Sequence, residues 1–417
     1  MDTGRLLTEG EIAGLMEVGL RPLPLDGRRL LVIVPDATRT MPLPVFFRLL
    51  MAHLQPRVRA VDVLVALGTH PPLSEAALLR LAGLTPEQKA RDYAGVRLLN
   101  HAWQDPAALA TLGVLRRDEL AALTGGLLAV EVPVRLNRAV LDYDHLLVCG
   151  PVFPHEVAGF SGGNKYFFPG IAGADIIDFT HWLGALVTSY AAIGMAQTAV
   201  RAVIDRAAAL IPRPRHALCS VVTGAGVHGL FVGEMEAAWA QAAALSAQVH
   251  IQWCDRPYRE VLAVLPPMYD ELWVGAKGMY KTEPVVADGG EVIIYAPHLR
   301  EISVTHGRLI REIGYHVRDY FTAQWERFKH YPWGVLAHST HVRGIGEYAN
   351  GVECPRIAVT LATGLSEAEC RAVNLGYRDP ATIDLAAWAG REAEGILLVP
   401  HAGETLYRLK ANPPASA

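Results

Sequence analysis

The stretch RRLLVIVPDATRTMPLPVFFRLLMAHLQPRVRAVDVLVALGTH, residues 28–70, contains the pattern that decides the fold. Two apolar runs, 28–36 and 61–70, are typical of buried parallel strands and end in polar residues. Between them, over 42–55, apolar residues recur at helical spacing, which predicts a connecting helix. This strand–helix–strand order predicts a parallel sheet with a crossover helix.

The same alternation continues along the chain. Further strands of the first series are predicted at 144–153 and 217–226, and a helix begins near residue 174. A second series of predicted strands lies at 247–255, 269–278, 289–298, 332–341, 355–363 and 393–403. The sequence therefore predicts an α/β protein with two domains, each with a mostly parallel sheet flanked by helices, and an active site in the interdomain cleft. We place the N-terminal domain at 1–247 and the C-terminal α/β domain at 248–417, with the last residues packing back on the N-terminal domain as an option.

Composition narrows the class of protein. Of the 417 residues, 51% are hydrophobic and 19% are charged, which is typical of a soluble globular enzyme. The net charge of −4 and the lack of a long basic run argue against nucleic acid as a partner. The five cysteines form no C-x-x-C pair, which argues against a disulfide framework. We find neither a signal-peptide core nor a membrane-spanning apolar segment, so we expect a cytoplasmic protein with no membrane partner.

Polar residues that follow predicted strands are candidates for ligand binding, because ligands of open α/β sheets collect at the carboxyl ends of strands. Asp36 and Arg39 follow the first strand. They either bind a ligand, the arginine by a bidentate contact with a carboxylate, or form an ion pair that stabilises the loop. His70 ends the second strand, where an imidazole suits proton transfer near neutral pH, although a lone histidine there is often structural.

The segment HEVAGFSGGNKYFFPGIAGADIIDFTH begins at His155 and ends at His181. Gly162 and Gly163 leave room for the backbone to approach a ligand closely. The segment departs from the phosphate-binding pattern G-x-x-x-x-G-K-[ST], so an NTPase loop is excluded. We predict that Lys165 and the two histidines face one ligand; the alternative is a glycine turn with a solvated lysine and core histidines.

The second series of strands contributes fewer candidates. Lys277 follows one of its predicted strands. Six histidines lie within 298–341, and the sequence HSTH at 338–341 has a spacing similar to that of metal ligands, but no carboxylate is near to complete a site. We expect most of these histidines to be structural or to shape a substrate pocket.

Together these motifs resemble the nickel-pincer-nucleotide lactate racemase family. The matching motifs are DATR, GTH, HEVAGFSGGNK, PGIAG, KGM and VPHAG, which are spread over nearly the whole chain. Spacing agrees as well, with ten residues from His155 to Lys165 and sixteen from Lys165 to His181. The resemblance implies an isomerase, a racemase or epimerase that inverts C2 of a 2-hydroxy acid by proton-coupled hydride transfer.

The resemblance also implies a cofactor, the nickel-pincer nucleotide, which is nickel held by a pyridinium-3,5-bisthiocarboxylic acid mononucleotide. Lys165 would be its covalent tether and His181 the protein ligand to nickel. Asp36 would lie near the cofactor, and Gly162 and Gly163 would let it approach the backbone. The first domain would therefore be the cofactor-tethering domain, and cofactor-biosynthesis proteins would be partners.

For the substrate, the resemblance implies two acid–base residues and two carboxylate-binding residues. His70 and His155 would be the catalytic pair, and Arg39 and Lys277 would hold the carboxylate of a small 2-hydroxy acid. A homodimer is one option for the assembly, which the sequence leaves open.

Two departures from the family pattern concern the substrate and the tether. Val274 stands where lactate-specific members typically have a glutamine, and Asn164 replaces a basic residue commonly found before the tether lysine. We therefore expect a substrate other than lactate, larger or more polar, with a sugar acid as the leading candidate.

Two other functions stay open at this point. One is a zinc-dependent hydrolase that uses His70, His155 and His181 as metal ligands. The other is a non-catalytic protein that binds the nickel nucleotide or a hydroxy acid, although storage alone would not need two proton-transfer groups.

Overall fold

The computed structural model of the protein describes residues 4–410. Residues 411–417, part of the end for which we considered packing on the N-terminal domain, lie outside the described residues. The chain divides into two compact units. The first contains residues 4–153, 160–177 and 201–249, and the second contains 154–159, 178–200 and 250–410. Two short segments from the N-terminal half of the chain, 154–159 and 178–200, therefore belong to the second unit. The domain boundary at 247/248 and the interdomain cleft stay predictions.

The helices and strands follow one another in the order expected of an α/β protein. Within the described residues the α-helices are α1 Glu9–Leu20, α2 Leu43–Leu54, α3 Glu75–Ala82, α4 Pro86–Asp92, α5 Arg117–Leu123, α6 Ala174–Val187, α7 Ser189–Ala192, α8 Ala199–Ala208, α9 Met235–His250, α10 Leu272–Gly275, α11 Lys277–Tyr280, α12 Gly307–Ile313, α13 Arg318–Ala323, α14 Trp325–Phe328, α15 Trp333–Arg343 and α16 Glu367–Ala372. The strands of the same range are β1 Arg29–Val34, β2 Ala60–Val65, β3 Leu98–Asn100, β4 Leu109–Leu115, β5 Val132–Asn137, β6 His145–Pro151, β7 Pro154–His155, β8 Gly159–Phe160, β9 Arg215–Thr223, β10 Gly226–Glu234, β11 Ile251–Cys254, β12 Tyr258–Val264, β13 Val286–Ala296, β14 Gly346–Ala349, β15 Val352–Pro355, β16 Ala358–Thr363, β17 Gly376–Tyr377, β18 Ile396–Val399 and β19 Leu406–Leu409.

The first unit is built on a six-stranded sheet with the order β10-β9-β6-β1-β2-β3. All neighbouring strands are parallel except β10, which pairs antiparallel with β9. Helix α2 connects β1 to β2 as predicted, and its apolar face, including Phe46 and Leu50, packs in a core with Val32 and Val63. The predicted parallel sheet of this unit is confirmed.

The second unit contains a five-stranded sheet with the order β17-β16-β13-β12-β18, all of it parallel. Strands β13, β16 and β18 were predicted from the sequence, whereas β12 was not. The α/β fold class is therefore confirmed. No helix in residues 4–410 combines the length and the apolarity needed to cross a membrane.

Three predicted strands of the second series were wrong in whole or in part. Residues 272–280 form the short helices α10 and α11, and 333–343 form α15. Eight of the eleven residues of α15 are buried, so its apolar pattern lacks the polar face that distinguishes a helix from a buried strand. Pro332 precedes this helix, and Gly344, with φ of 82°, follows its last residue. A proline before a helix and a glycine after it are sequence signals that favour a helix over a strand at these positions. The strand predicted at 247–255 is shortened to β11 because α9 continues to His250.

Candidate active site

Asp36 and His70, which follow neighbouring parallel strands, form a close pair in the first unit. Nδ1 of His70 lies 2.5 Å from Oδ2 of Asp36, whose side chain is 8% exposed. Oδ1 of Asp36 accepts hydrogen bonds from the backbone N–H and the hydroxyl of Thr38, at 3.1 and 2.6 Å. Burial alone would raise the pKa of Asp36, but His70, Arg39 and Thr38 outweigh it, and the pKa lies well below its ordinary value.

This pairing determines which nitrogen of His70 is available for chemistry. An ionised Asp36 can only accept hydrogen bonds, so Nδ1 of His70 carries the proton and donates it. In the neutral ring Nε2 then has a free lone pair and can act as a base. The carboxylate also stabilises the positive charge that appears when Nε2 takes a proton, as in other histidine–carboxylate pairs.

Arg39 is half-buried on the same loop as Asp36. Its Nη1 donates to the hydroxyl of Thr38 at 3.3 Å, and its guanidinium lies 5.7 Å from the centre of the Phe153 ring. The positive charge is therefore held near the His70 pair by contacts that leave part of the guanidinium exposed. The predicted carboxylate-binding role of Arg39 stays a prediction.

Lys165 lies on a single 3₁₀ turn, Gly163–Tyr166, in which it is half-buried while its neighbours are buried. The backbone N–H of Gly170 donates to the carbonyl of Lys165 at 3.2 Å, and the carbonyl of Gly170 accepts from the N–H of Gly68 at 2.9 Å. Gly68 lies two residues before His70. Backbone hydrogen bonds thus connect the loop that carries the candidate tether to the loop that carries the candidate base.

The glycines before Lys165 have backbone conformations that other residues rarely adopt. Gly162 has φ of 79° and Gly163 has φ of 59°. A Cβ on Gly162 would lie 2.5 Å from Cγ2 of Val152, and one on Gly163 would lie 2.9 Å from the Trp239 ring. The turn itself therefore requires both glycines, independently of any ligand, and the approach of a cofactor to them stays a prediction.

We expect the variant Gly162→Ala to lower the free energy of unfolding by about 3 kcal/mol, because it adds a steric contact to an unfavourable backbone conformation. The matched control is Gly27→Ala, where φ is 69° but no atom lies within 4 Å of the added Cβ. The control should lose only about 1 kcal/mol, the cost of the backbone conformation. Urea unfolding of both variants measures the difference, and equal losses would contradict the packing argument.

In the second unit, the buried His155 has two different partners at Nδ1. The backbone N–H of Val157 donates to this nitrogen at 3.1 Å, and Oε2 of Glu156 lies 3.2 Å from it. In one neutral tautomer Nδ1 accepts from Val157 and the proton is on Nε2; in the other, Nδ1–H donates to Glu156 and Nε2 has the free lone pair that a base needs. When the ring is protonated, Nδ1–H needs an acceptor, and Glu156 can provide it. Both protonation states are thus accommodated, as an acid–base residue requires.

His181 lies half-buried on α6, and the HSTH histidines of α15 contribute to the same electrostatic environment. Burial, reinforced by neighbouring histidines that include His181, lowers the pKa of His338; burial lowers that of His341 to about 4. Among the side chains of residues 4–410, no group of three or more His, Cys, Asp or Glu residues is placed to hold a metal ion. The zinc-hydrolase hypothesis, which needs His70, His155 and His181 around one metal, therefore has no support.

Lys277 begins helix α11 rather than following a strand, which corrects the sequence-based placement. Its Nζ lies 4.6 Å from the centre of the Tyr269 ring. Backbone hydrogen bonds continue from α10 into α11 through Ala276, so Trp273, four residues earlier, shares a helix face with Lys277.

The predicted site residues thus fall into two sets. Asp36, Arg39, His70 and Lys165 are connected to one another by short links within the first unit, and His155, His181 and Lys277 belong to the second. Sequence reasoning missed Asp36 as the partner of His70, Glu156 as a partner of His155, and Trp273. For Glu156 a signal existed, since it is adjacent to His155 in the motif HEVAG.

Comparison with known proteins identifies the family. Residues 18–194 match the family model described as the lactate racemase N-terminal domain. A protein from Thermotoga maritima with a known crystal structure is 32% identical, with a TM-score of 0.88 over 98% of this chain and 99% of that chain. The chain belongs to the lactate racemase family.

A second solved structure agrees with membership of the lactate racemase family at the level of the fold. The lactate racemase apoprotein from Thermoanaerobacterium thermosaccharolyticum is 18% identical, with a TM-score of 0.73 over 95% of this chain and 93% of that chain. No match is found among curated protein sequences. The resemblance inferred from the motifs is confirmed.

Proposed function

We propose that the protein is an isomerase that inverts C2 of a 2-hydroxy acid with the help of a nickel-pincer nucleotide attached to Lys165. Family membership supports isomerase activity and a nickel-based cofactor. The observation that carries the proposal is the pairing of His70 with Asp36, together with the backbone hydrogen bonds through Gly170 that connect the loop of His70 to the turn of Lys165. This connection keeps the candidate base, His70, close to the candidate tether, Lys165, as a reaction between a substrate and a tethered cofactor requires.

The residues present fit such a cofactor. Lys165 is half-buried on a turn whose other residues are buried, which suits a covalent attachment site. His181 offers one imidazole as the ligand to nickel. Because the described side chains form no larger ligand group, the remaining nickel ligands would come from the nucleotide itself.

The nucleotide, held by Lys165 and His181, would supply a hydride acceptor for the reaction at C2 of the substrate. The chain supplies the proton transfers. Nε2 of His70 takes the proton of the C2 hydroxyl, and the Asp36 carboxylate stabilises the imidazolium that results. His155 performs the same task for the opposite enantiomer, with Glu156 as acceptor for its Nδ1–H. Arg39 and Lys277 hold the substrate carboxylate.

Residues near Lys277 favour a substrate larger and more polar than lactate, such as a sugar acid. The indole of Trp273 contacts the imidazoles of His306 and His338, whose ring centres lie 4.6 and 3.9 Å from its own. Nε2 of His338 is buried without a hydrogen-bond partner, and burial lowers the pKa of this ring, so it is neutral and can either donate or accept. The half-buried indole of Trp273, on the helix face of Lys277, offers an aromatic surface to the part of the substrate beyond C2.

We expect Trp273→Ala to lower kcat/KM for a sugar acid by about 10- to 100-fold, because it removes the aromatic surface beside Lys277. Activity on lactate, which has no hydroxyl beyond C2, should change little. Trp253→Ala, which alters an exposed tryptophan on β11, serves as the control. Kinetics with both substrates measure the effect, and equal losses on both would contradict the assigned role.

The proposal is tested with protein produced together with the cofactor-biosynthesis enzymes. A panel of 2-hydroxy acids, including lactate and sugar acids, is incubated with this protein, and the epimers are separated by chiral chromatography. We expect inversion at C2 with a sugar acid preferred. Lactate as the best substrate would overturn the assigned specificity. A loaded protein that inverts none of the panel would favour the non-catalytic binding protein.

A further inference from the structure

A group of polar side chains surrounds Asn164, the buried residue before Lys165; the two carboxylates that it contacts are partly exposed, Asp205 by 37% and Glu236 by 56%. Nδ2 of Asn164 donates to Oδ1 of Asp205 and to Oε1 of Glu236, both at 2.9 Å. Asp205 is on α8, and Glu236 is in the first turn of α9. One amide that is only 2% exposed therefore joins the turn of Lys165 to two helices of the first unit.

Two arginines balance the two carboxylates of this group. Arg201 lies 4.0 Å from Asp205, and Arg215 lies 3.6 Å from Glu236. Burial raises the pKa of Asp205, an effect that Arg201 and Asn164 oppose, and burial lowers the pKa of Arg201 to about 10. The five residues, which we name the Asn164 clamp, form a charge-balanced network with a neutral amide between the acids.

The clamp also holds the backbone on both sides of Lys165. On the far side, the carbonyl of Asn164 accepts the N–H groups of Phe167 and Phe168, each at 3.0 Å. On the near side, Arg201 donates to the carbonyls of Phe160 and Gly162, at 2.5 and 3.4 Å.

Trp239 completes the near side. Its indole N–H donates to the carbonyl of Ser161 at 2.8 Å, and the guanidinium of Arg201 lies 4.2 Å from the centre of its ring. Every residue from 160 to 162 is therefore hydrogen-bonded, through its carbonyl, to the clamp or to the tryptophan that packs against it. These contacts fix the backbone on both sides of Lys165 and, with it, the Cα from which the lysine side chain extends.

We infer that Asn164 is a positioning residue whose two amide hydrogen bonds to Asp205 and Glu236 fix the turn so that the Lys165 amine is placed for attachment of the cofactor, a condensation with a thiocarboxylic acid group that forms a thioamide C–N bond, breaks a C–O bond and releases water. The inference rests on the proposed function for the role of Lys165. It goes beyond that function because it assigns the placement of the amine to a buried neutral residue that does not touch substrate. It also implies that a cation could replace the amide between the two carboxylates.

The test compares Asn164→Ala and Asn164→Lys with the control Asp62→Asn. The control breaks another buried network of the first unit, in which Asp62 binds Arg97 and Tyr143 far along the sequence from the turn. Attachment is followed as the mass gained by each apoprotein when it is mixed with the nucleotide made by the biosynthesis enzymes. Thermal unfolding of each variant reports stability separately.

We expect the rate of mass gain to fall about 100-fold in Asn164→Ala, which is the effect of displacing a reacting group by about 1 Å. Asn164→Lys, which can pair with both carboxylates, should recover most of the rate. Asp62→Asn should lose stability and still react at the wild-type rate. A wild-type rate in Asn164→Ala, or an equal loss in Asp62→Asn, would overturn the inference.

A second measurement keeps the inference independent of the cofactor. Reductive methylation of the apoproteins with formaldehyde and a borane reductant reports the reactivity of the Lys165 amine, with the exposed Lys329 as internal reference. We expect the ratio of the two rates to change severalfold in Asn164→Ala and to return in Asn164→Lys. An unchanged ratio would overturn the inference. If the wild-type protein gains no mass but this ratio changes as expected, the proposed function fails and the clamp stands.

Discussion

Replacing His70 with alanine should lower the turnover of the cofactor-loaded protein by about 100- to 10,000-fold, the usual contribution of a general base. The loss should occur for both epimers of the substrate, because the same imidazole removes the hydroxyl proton in one direction and returns it in the other. The equilibrium constant of the reaction fixes the ratio of the kcat/KM values in the two directions, so a variant that lowers one must lower the other by the same factor. Steady-state kinetics from both epimers measure the effect.

The matched control for this variant is His53→Ala, which removes a half-buried histidine from the last turn of α2 in the same unit. It should retain wild-type turnover. The mass gained at Lys165 should be the same in both variants, because His70 is assigned to proton transfer and not to attachment. Full turnover in His70→Ala would contradict the assigned role, and full ligand binding without any wild-type turnover would favour a binding protein.

Lys165→Arg should abolish both cofactor attachment and activity. Arginine keeps the positive charge and much of the length, but its guanidinium stays protonated at any accessible pH and cannot form the amide-type bond that a lysine amine can. Intact-mass measurement should therefore find the unmodified chain, and turnover should fall to background. The fold should be retained, because the buried residues of the turn are Gly163, Asn164 and Tyr166, which the substitution leaves unchanged.

The control for this substitution is Lys329→Arg, on an exposed surface of the second unit, where only an ion pair with Glu326 is altered. It should be loaded and active like the wild type. Attachment of the cofactor to Lys165→Arg at another residue, with activity retained, would show that the tether is elsewhere.

The parts of the fold that could be predicted from the sequence are those with a distinct period. Here two short continuous apolar runs, β1 and β2, flank α2, in which apolar residues recur at helical spacing. The bounds of these three elements agree with the prediction to within about five residues. Helix α15 could not be recognised, because burial on nearly all sides removes the polar face. Helices α10 and α11 are too short for a period to appear, so an apolar run was interpreted as a strand.

The candidate site was predictable in its residue types but not in its pairings. Asp36 and His70 are 34 positions apart, and only the parallel register of β1 and β2 brings the loops after them together. The two acids that hold Asn164 come from helices 41 and 72 positions later, with no spacing pattern that connects them to Lys165. Motif resemblance supplied the roles of single residues, whereas the contacts that support those residues required the fold.

The most direct test of the central claim is the mass of the wild-type protein produced together with the cofactor-biosynthesis enzymes, combined with peptide mapping and nickel measurement on the same sample. We predict one added nucleotide group per chain, located on the peptide that contains Lys165, and one nickel per added group. A chain that is active on a 2-hydroxy acid and yet has an unmodified Lys165 and no nickel would contradict the account.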